Sequence, residues 1–151
     1  MSGKYTKEDA HSQGVDLRFV PTRIADPFNE IINHEDELSL WNIYPHADFI
    51  TYPSLYVGFG NAFLEAVYFK KPILVNRYSI FVRDIEPKGF DLATMDGYLE
   101  HKTVADVREI LASAVRRQDM VETNYAIAAR HYAFKTLRRW LNNILINFFG
   151  V

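Results

Sequence analysis

The sequence predicts an α/β fold in which a mostly parallel sheet is flanked by helices. Residues 48–52 tend towards apolar, β-prone side chains and stop at Pro53, which predicts a strand. A loop with two glycines follows, and apolar residues then recur at helical spacing from Phe63. The all-apolar run 73–75 is typical of a short strand buried on both faces, as in parallel sheets.

The N-terminal part shows weaker patterns. We expect residues 1–14 to be a frayed or truncated helix end, with an artificial start at residues 1–3. Residues 15–20 alternate apolar and polar side chains, which predicts a strand ended by Pro21. Residues 22–37 are polar and acidic and predict a long loop beside the site, and residues 38–44 predict a short helix closed by Pro45.

The C-terminal part is predicted to be helical after a last strand over residues 90–95. Residues 103–106 resemble a capping box at a helix start, and residues 120–132 continue in helical spacing. The final helix carries a wide apolar face, called here the C-terminal stripe: Leu137, Trp140, Leu141, Ile144, Leu145 and Phe148. We expect this stripe to cover the sheet of its own domain. Two other partners stay open: a second copy of the chain, and a membrane surface contacted peripherally.

Length and composition narrow the class of protein. The chain has 151 residues, enough for a single domain over residues 1–151, and its 48% apolar content argues against disorder. The net charge of −2 argues against a general nucleic-acid binder, although the last third is basic. Without cysteines, disulfides and thiolate metal sites are excluded, and the five scattered histidines predict no metal site. No signal peptide or spanning run is evident, so we expect a cytoplasmic location.

The glycine loop is the strongest candidate for a binding site. Gly58 and Gly60 lack Cβ atoms, so a ligand can approach the main chain closely, and Asn61 is a good residue to cap the following helix. The first N–H groups of a helix are unpaired and carry partial positive charge, which suits phosphate. Glu65 lies on the same helical face, within reach of two ribose hydroxyls. An ordinary loop followed by a surface glutamate is the alternative interpretation.

Residues 46–91 resemble a known family. The matching residues begin with Pro53 and Ser54, continue through Gly58, Phe59, Gly60 and Glu65, and extend to Lys71, Pro72 and the predicted strand 73–75. They resemble the donor-binding domain of the group 1 (family 4) retaining glycosyltransferases, where a P-S-x-x-E-G-F-G segment leads into a helix with a second glutamate. The resemblance implies the Rossmann-like C-terminal half of a two-domain GT-B enzyme.

That resemblance implies a function and a set of contacts. The parent enzyme would transfer a hexosyl unit from a nucleoside diphosphate sugar to an acceptor hydroxyl, with retention of configuration and without a metal ion or other cofactor. The backbone of Gly58, Phe59, Gly60, Asn61 and Ala62 would bind the donor phosphate and sugar, and Glu65 the ribose. An N-terminal acceptor-binding domain would be the partner, and the last helix would cross to it, which would leave the C-terminal stripe partly exposed in the isolated domain and favour dimerisation. The first strand of the donor domain would lie before residue 1, and the full enzyme would be cytoplasmic, with membrane association possible.

Two points of the resemblance are open. Val57 stands where the family has its first glutamate, so no catalytic residue is assigned, because valine neither accepts a hydroxyl hydrogen bond nor stabilises positive charge. Arg77 and Arg83 are possible phosphate contacts, with ion pairs to Asp84 or Glu86 as the alternative. A non-catalytic binding or interaction module that kept the fold and lost the chemistry is therefore the second hypothesis. An unrelated flavodoxin-like nucleotide binder is the third.

Overall fold

The computed structural model describes residues 7–18, 40–56, 58 and 60–150. The chain divides into two compact units, residues 1–43 and residues 44–151. The loop predicted over residues 22–37 lies outside the described residues.

The described part of unit 1 contains two short helices, α1 (Lys7–Ser12) and α2 (Leu40–Ile43). The chain leaves α1 through Gly14, whose φ of 73° is left-handed, and the Val15 N–H donates to the Ala10 carbonyl at 2.9 Å. The predicted strand is wrong for residues 15–18, which form no strand. The reason is local. The Val15 N–H donates to the end of α1, and the Leu17 N–H donates to the Val15 carbonyl, so both amides are used within the segment and its helix. Residues 19 and 20 lie outside the described part of the chain.

Unit 2 holds a three-stranded parallel sheet in the order β1-β2-β3. Its elements, in chain order, are a 3-10 turn (Tyr44–His46), β1 (Ile50–Tyr52), α3 (Asn61–Tyr68), β2 (Ile73–Asn76), a π-helical turn (Phe81–Ile85), a 3-10 turn (Glu86–Lys88), β3 (Ala93–Met95), α4 (His101–Ala112), α5 (Ala114–Tyr132) and α6 (Phe134–Phe149). Ile50 pairs with Ile73, and Leu74 pairs with Ala93. The predicted α/β class, the parallel sheet and the helical C-terminus are confirmed.

The core forms around the middle strand, whose first three residues are apolar. All four residues of β2 are buried, as the composition of the run predicted. Leu74 and Ala93 pack with Ile110 of α4 and Met120 of α5. The ring of Phe63 on α3 meets the ring of Phe90 edge to face at 5.1 Å, and a second, similar contact to Phe81 at 6.4 Å extends the cluster.

The predicted capping box at the start of α4 is wrong. The helix begins at His101, and no side chain caps it. Thr103 is buried in the first turn, and its hydroxyl donates to the Thr94 carbonyl of β3 at 3.1 Å. The threonine therefore joins the helix to the sheet. A side-chain cap is found instead at α5, where the Ser113 hydroxyl accepts from the Arg116 amide at 3.1 Å.

Asp91, just before β3, is held by α5 through both its backbone and its side chain. The buried Asn124 accepts from the Asp91 N–H at 2.8 Å and donates to the Asp91 carbonyl at 2.7 Å. Arg116 forms a two-point ion pair with the Asp91 carboxylate, and this hydrogen bonding raises the pKa of the guanidinium. These contacts fix how the chain enters the last strand.

The expectation that the C-terminal stripe covers its own sheet is wrong. No residue of α6 is buried, and the stripe side chains range from 46% exposed for Leu145 to 80% for Phe148. The sheet is already covered, because α3 packs on β1 and β2 while α4 packs on β3, and α6 packs against α5. Among the described residues, no helix is both long and apolar enough to cross a membrane.

Candidate functional site

The glycine loop lies at the edge of the sheet where the parallel strands end. Strand β1 stops at Tyr52 and α3 begins at Asn61, so the loop between them occupies the C-terminal edge. Ligands of open α/β sheets collect at this edge. Val57 and Phe59 lie outside the described residues, so their predicted places in the site stay predictions.

The helix cap is Gly60 and not Asn61. Gly60 has a φ of 87°, in the left-handed region, and its carbonyl accepts from the Phe63 amide at 3.0 Å. Asn61 is the first helical residue, and no side chain caps α3. The prediction failed because glycine alone takes this φ without strain, and the helix therefore begins one residue earlier, at Asn61. The amides of Asn61 and Ala62 lie in the first turn, where helix geometry leaves N–H groups without intrahelical partners.

The two glycines have different surroundings. A Cβ added to Gly60 would overlap the Tyr78 hydroxyl and lie 3.5 Å from the Tyr52 ring, whereas a Cβ on Gly58 would meet nothing within 4 Å. The rings of Tyr52 and Tyr78 meet edge to face at 6.3 Å, and burial raises the pKa of Tyr78 to about 12. Gly60 is thus required by packing, and Gly58 is the glycine beside open space.

Glu65 is held by a residue that the sequence analysis did not identify. The Tyr44 hydroxyl donates to Glu65 Oε2 at 3.0 Å. Tyr44 is buried and its ring stacks on Phe69 with centroids 4.8 Å apart. The pKa of Tyr44 is raised mainly by burial and also by the hydrogen bond to Glu65. The phenol therefore stays protonated and remains a donor. Glu65 itself is half-buried.

Asn76 connects the glycine loop to the turn after β3. It ends the central strand, is 2% exposed, and donates from Nδ2 to the Ser54 carbonyl at 3.2 Å. Its Oδ1 accepts from the Gly97 N–H at 2.8 Å. Both loops at this edge are therefore attached to the middle of the sheet. No local pattern marks Asn76 in the sequence, because its partners lie 22 and 21 residues away.

Arg77 and Arg83 form the ion pairs that the sequence analysis named as the alternative. Arg77 contacts both oxygens of Glu86, at 2.8 and 2.9 Å, and Asp96 at 3.3 Å. Arg83 contacts both oxygens of Asp84, at 2.9 and 2.8 Å. These hydrogen bonds raise the pKa of each guanidinium, and Arg83 lowers the pKa of Asp84. A phosphate contact by either arginine stays a prediction.

The described residues contain no cluster of three or more histidine or acidic side chains that could hold a metal ion. The polar groups around the glycine loop include first-turn amides, the carboxylate of Glu65 and the phenol of Tyr44. Together they can donate to an anion and accept from hydroxyl groups at neighbouring positions.

The chain is similar to two curated proteins, both named mannosylglucosylglycerate synthase. The protein of Petrotoga mobilis is 41% identical over 98 residues, which cover 64% of this chain and 22% of that protein. The protein of Thermotoga maritima is 29% identical over 147 residues, which cover 89% of this chain and 32% of that protein. The aligned part thus spans a third or less of each relative. No protein-family profile and no solved structure matches the chain significantly.

These similarities support a relationship to a glycosyltransferase, which is the coarser part of the resemblance seen in the sequence.

Proposed function

We propose that the chain is the donor-binding part of a retaining glycosyltransferase that moves a hexosyl unit from a nucleoside diphosphate sugar to an acceptor hydroxyl. The observation that carries the proposal is the position of Glu65. Its half-buried carboxylate lies one turn into α3, which begins at the glycine loop on the C-terminal edge of a parallel sheet.

The first-turn amides and Glu65 bind different parts of the donor. The amides of Phe59, Gly60, Asn61 and Ala62 bind the diphosphate and the sugar, because the N-terminus of α3 carries partial positive charge. Glu65 accepts from the ribose hydroxyls. This division of roles needs no metal ion, since backbone dipoles stabilise the charge of the leaving diphosphate.

Tyr44 would set the direction of the Glu65 carboxylate. Its hydroxyl occupies Oε2, which leaves Oε1 as the oxygen directed to the donor. A buried phenol on a stacked ring holds its position better than a solvent-exposed side chain does. The carboxylate would therefore be oriented before the donor arrives, which reduces the entropy lost on binding.

The names of the relatives suggest the kind of acceptor. Both describe a product that contains mannosyl, glucosyl and glycerate units. We infer that the whole protein, with an acceptor-binding domain, transfers its hexosyl unit to a small hydroxylated acid or its glycoside.

Calorimetric titration with UDP-glucose and GDP-mannose tests the donor site. We expect one of the two to bind, and Glu65→Gln to weaken that binding by about tenfold or more, as for a lost hydrogen bond to a charged group. Glu109→Gln, on the exposed face of α4, is the matched control and should bind normally. Equal affinity of the wild type and Glu65→Gln would remove Glu65 from the site.

Val57 favours a second candidate, a binding module without catalysis. In the glycosyltransferase family that the chain resembles, a glutamate stands at this position, near the donor sugar. Valine supplies neither a charge nor a side-chain hydrogen bond. Such a module would give no heat with either nucleotide sugar. In a protein that carries the acceptor-binding domain, Val57→Glu should raise turnover if valine weakens the chemistry, and unchanged turnover would reject that explanation.

A further inference from the structure

Asn76 is a buried polar residue at the end of an otherwise apolar strand. It is 2% exposed, and the residues of β2 before it are isoleucine, leucine and valine. Burying a side-chain amide costs free energy unless its N–H and carbonyl groups find hydrogen-bond partners. An apolar side chain would fill this place without that requirement, so the partners of Asn76 indicate what the amide contributes.

Both partners of the Asn76 side chain are backbone groups of loops at the C-terminal edge of the sheet. Nδ2 donates to the Ser54 carbonyl, two residues after β1, and Oδ1 accepts from the Gly97 N–H, two residues after β3. In the sheet register Asn76 pairs with Met95, the last residue of β3, and stands one place beyond the last pair of β1 with β2. One side chain on the central strand therefore connects the loops that follow the two outer strands.

The next residue along the chain holds the turn after β3 as well. The Arg77 N–H donates to the Met95 carbonyl at 2.8 Å, and the Arg77 guanidinium contacts Asp96 at 3.3 Å. The turn is thus attached to the end of β2 at several points, and the glycine loop is bonded to β2 through the Ser54 carbonyl. The hydrogen bonds of Asn76 therefore set how far the glycine loop lies from this turn.

We propose that Asn76 is a positioning residue of the donor site, whose side-chain amide holds the glycine loop at a fixed distance from the turn at Asp96 and Gly97. The inference rests on the proposed function, and it assigns Asn76 no contact with the donor. A loop that is held before the ligand arrives loses less conformational entropy on binding. Removal of the Asn76 amide should therefore weaken donor binding beyond what a loss of stability explains.

Asn124 provides a matched control at the opposite edge of the sheet. It is also 2% exposed, and its side chain also donates one hydrogen bond to the backbone and accepts one from it. Both partners belong to Asp91, which precedes β3, so they lie at the N-terminal edge of the parallel sheet. Replacing either asparagine by leucine keeps a side chain of similar size and removes two hydrogen bonds. We expect comparable losses of stability, but only Asn76→Leu removes bonds to the glycine loop.

Calorimetric titration with UDP-glucose and GDP-mannose, at a temperature where all the proteins are folded, compares the two variants. We expect Asn76→Leu to weaken binding of the sugar nucleotide that the wild type binds by about tenfold, and Asn124→Leu to bind within about twofold of the wild type. Thermal unfolding gives the stability of each variant. Equal affinity of Asn76→Leu and Asn124→Leu overturns the inference and leaves the donor site standing. Absence of binding by the wild type overturns the proposed function, and this inference with it.

NMR of the side-chain amides in the wild type tests the inference without a substitution, and it decides the matter if Asn76→Leu does not fold. The Nδ2 proton resonances of Asn76 should move when the sugar nucleotide binds, because the loop that they hold changes its contacts. The Gly97 N–H resonance should move with them, and the Nδ2 resonances of Asn124 should stay in place. Asn76 resonances that the bound ligand leaves unmoved, or an equal shift at Asn124, would overturn the inference.

Discussion

The hydroxyl of Tyr44 donates a hydrogen bond to one oxygen of the Glu65 carboxylate, at 3.0 Å. The tyrosine belongs to a 3-10 turn before the sheet, and the glutamate to the helix after the glycine loop. Two segments 21 residues apart therefore meet at the group to which we assign ribose binding.

Replacing Tyr44 tests whether this contact positions the carboxylate. We expect Tyr44→Phe to lower the free energy of unfolding by about 1 kcal/mol and to weaken donor binding severalfold, because Glu65 loses its donor while the stacked ring is kept. Urea unfolding and calorimetry measure the two effects. Tyr98→Phe, at an exposed tyrosine, should change neither. Unchanged donor affinity in Tyr44→Phe would show that Glu65 is oriented without Tyr44.

The two glycines should respond differently to alanine. Gly60→Ala should destabilise the fold by about 2 kcal/mol or more, since an alanine at this positive φ is strained and its methyl group overlaps Tyr78. Gly58→Ala should keep stability within about 0.5 kcal/mol, because its methyl group meets open space, yet it should weaken donor binding by narrowing the approach to the main chain. Urea unfolding and donor titration of both variants check this. Full donor affinity in Gly58→Ala would contradict close contact at that glycine.

Asn124 should be among the most sensitive polar residues of the core. Asn124→Ala leaves both the N–H and the carbonyl of Asp91 without their side-chain partners, and we expect a loss of about 3 kcal/mol in the free energy of unfolding. Asn143→Ala, at an exposed position on α6, should change stability by less than about 0.5 kcal/mol. Urea unfolding compares them, and similar midpoints for the two variants would contradict the role of Asn124.

Stability should fall at alkaline pH because of buried tyrosine. Burial raises the pKa of Tyr78 from 10.0 to about 12, so the folded state keeps a proton that the unfolded chain releases above pH 10. Its contribution is complete below pH 10 and is lost as the pH rises through 12, with a slope of at most about 1.4 kcal/mol per pH unit. Tyr78→Phe should flatten this part of the stability curve, and Tyr98→Phe should not. Equal slopes in the wild type and Tyr78→Phe would contradict this assignment.

The sequence predicted the elements whose signals are local. The structure contains the buried strand at 73–75, the strand before Pro53 and the helix after the glycine loop. Local composition and the spacing of apolar residues are enough to predict these three elements. The C-terminal helices followed from the same spacing. Asn61 was taken for the cap because its side chain fits that role, whereas the left-handed φ of Gly60 sets the helix start.

Several of the misses share a physical cause, which is dependence on distant residues. Tyr44 reaches Glu65, and Asn76 reaches Ser54 and Gly97, across more than 20 residues, so no window of sequence contains both partners. Thr103 looks like a helix cap until the sheet supplies the Thr94 carbonyl. The exposure of the C-terminal stripe depends in the same way on which helices already cover the sheet.

An amide-resolved NMR titration of the chain with the sugar nucleotide that binds tests the central claim most directly. If the first turn of α3 holds the diphosphate, the amide resonances of Phe59, Gly60, Asn61 and Ala62 should shift most, and Glu65→Gln should reduce the shifts at equal ligand concentration. Binding that moves amides elsewhere and leaves these four in place would contradict the account.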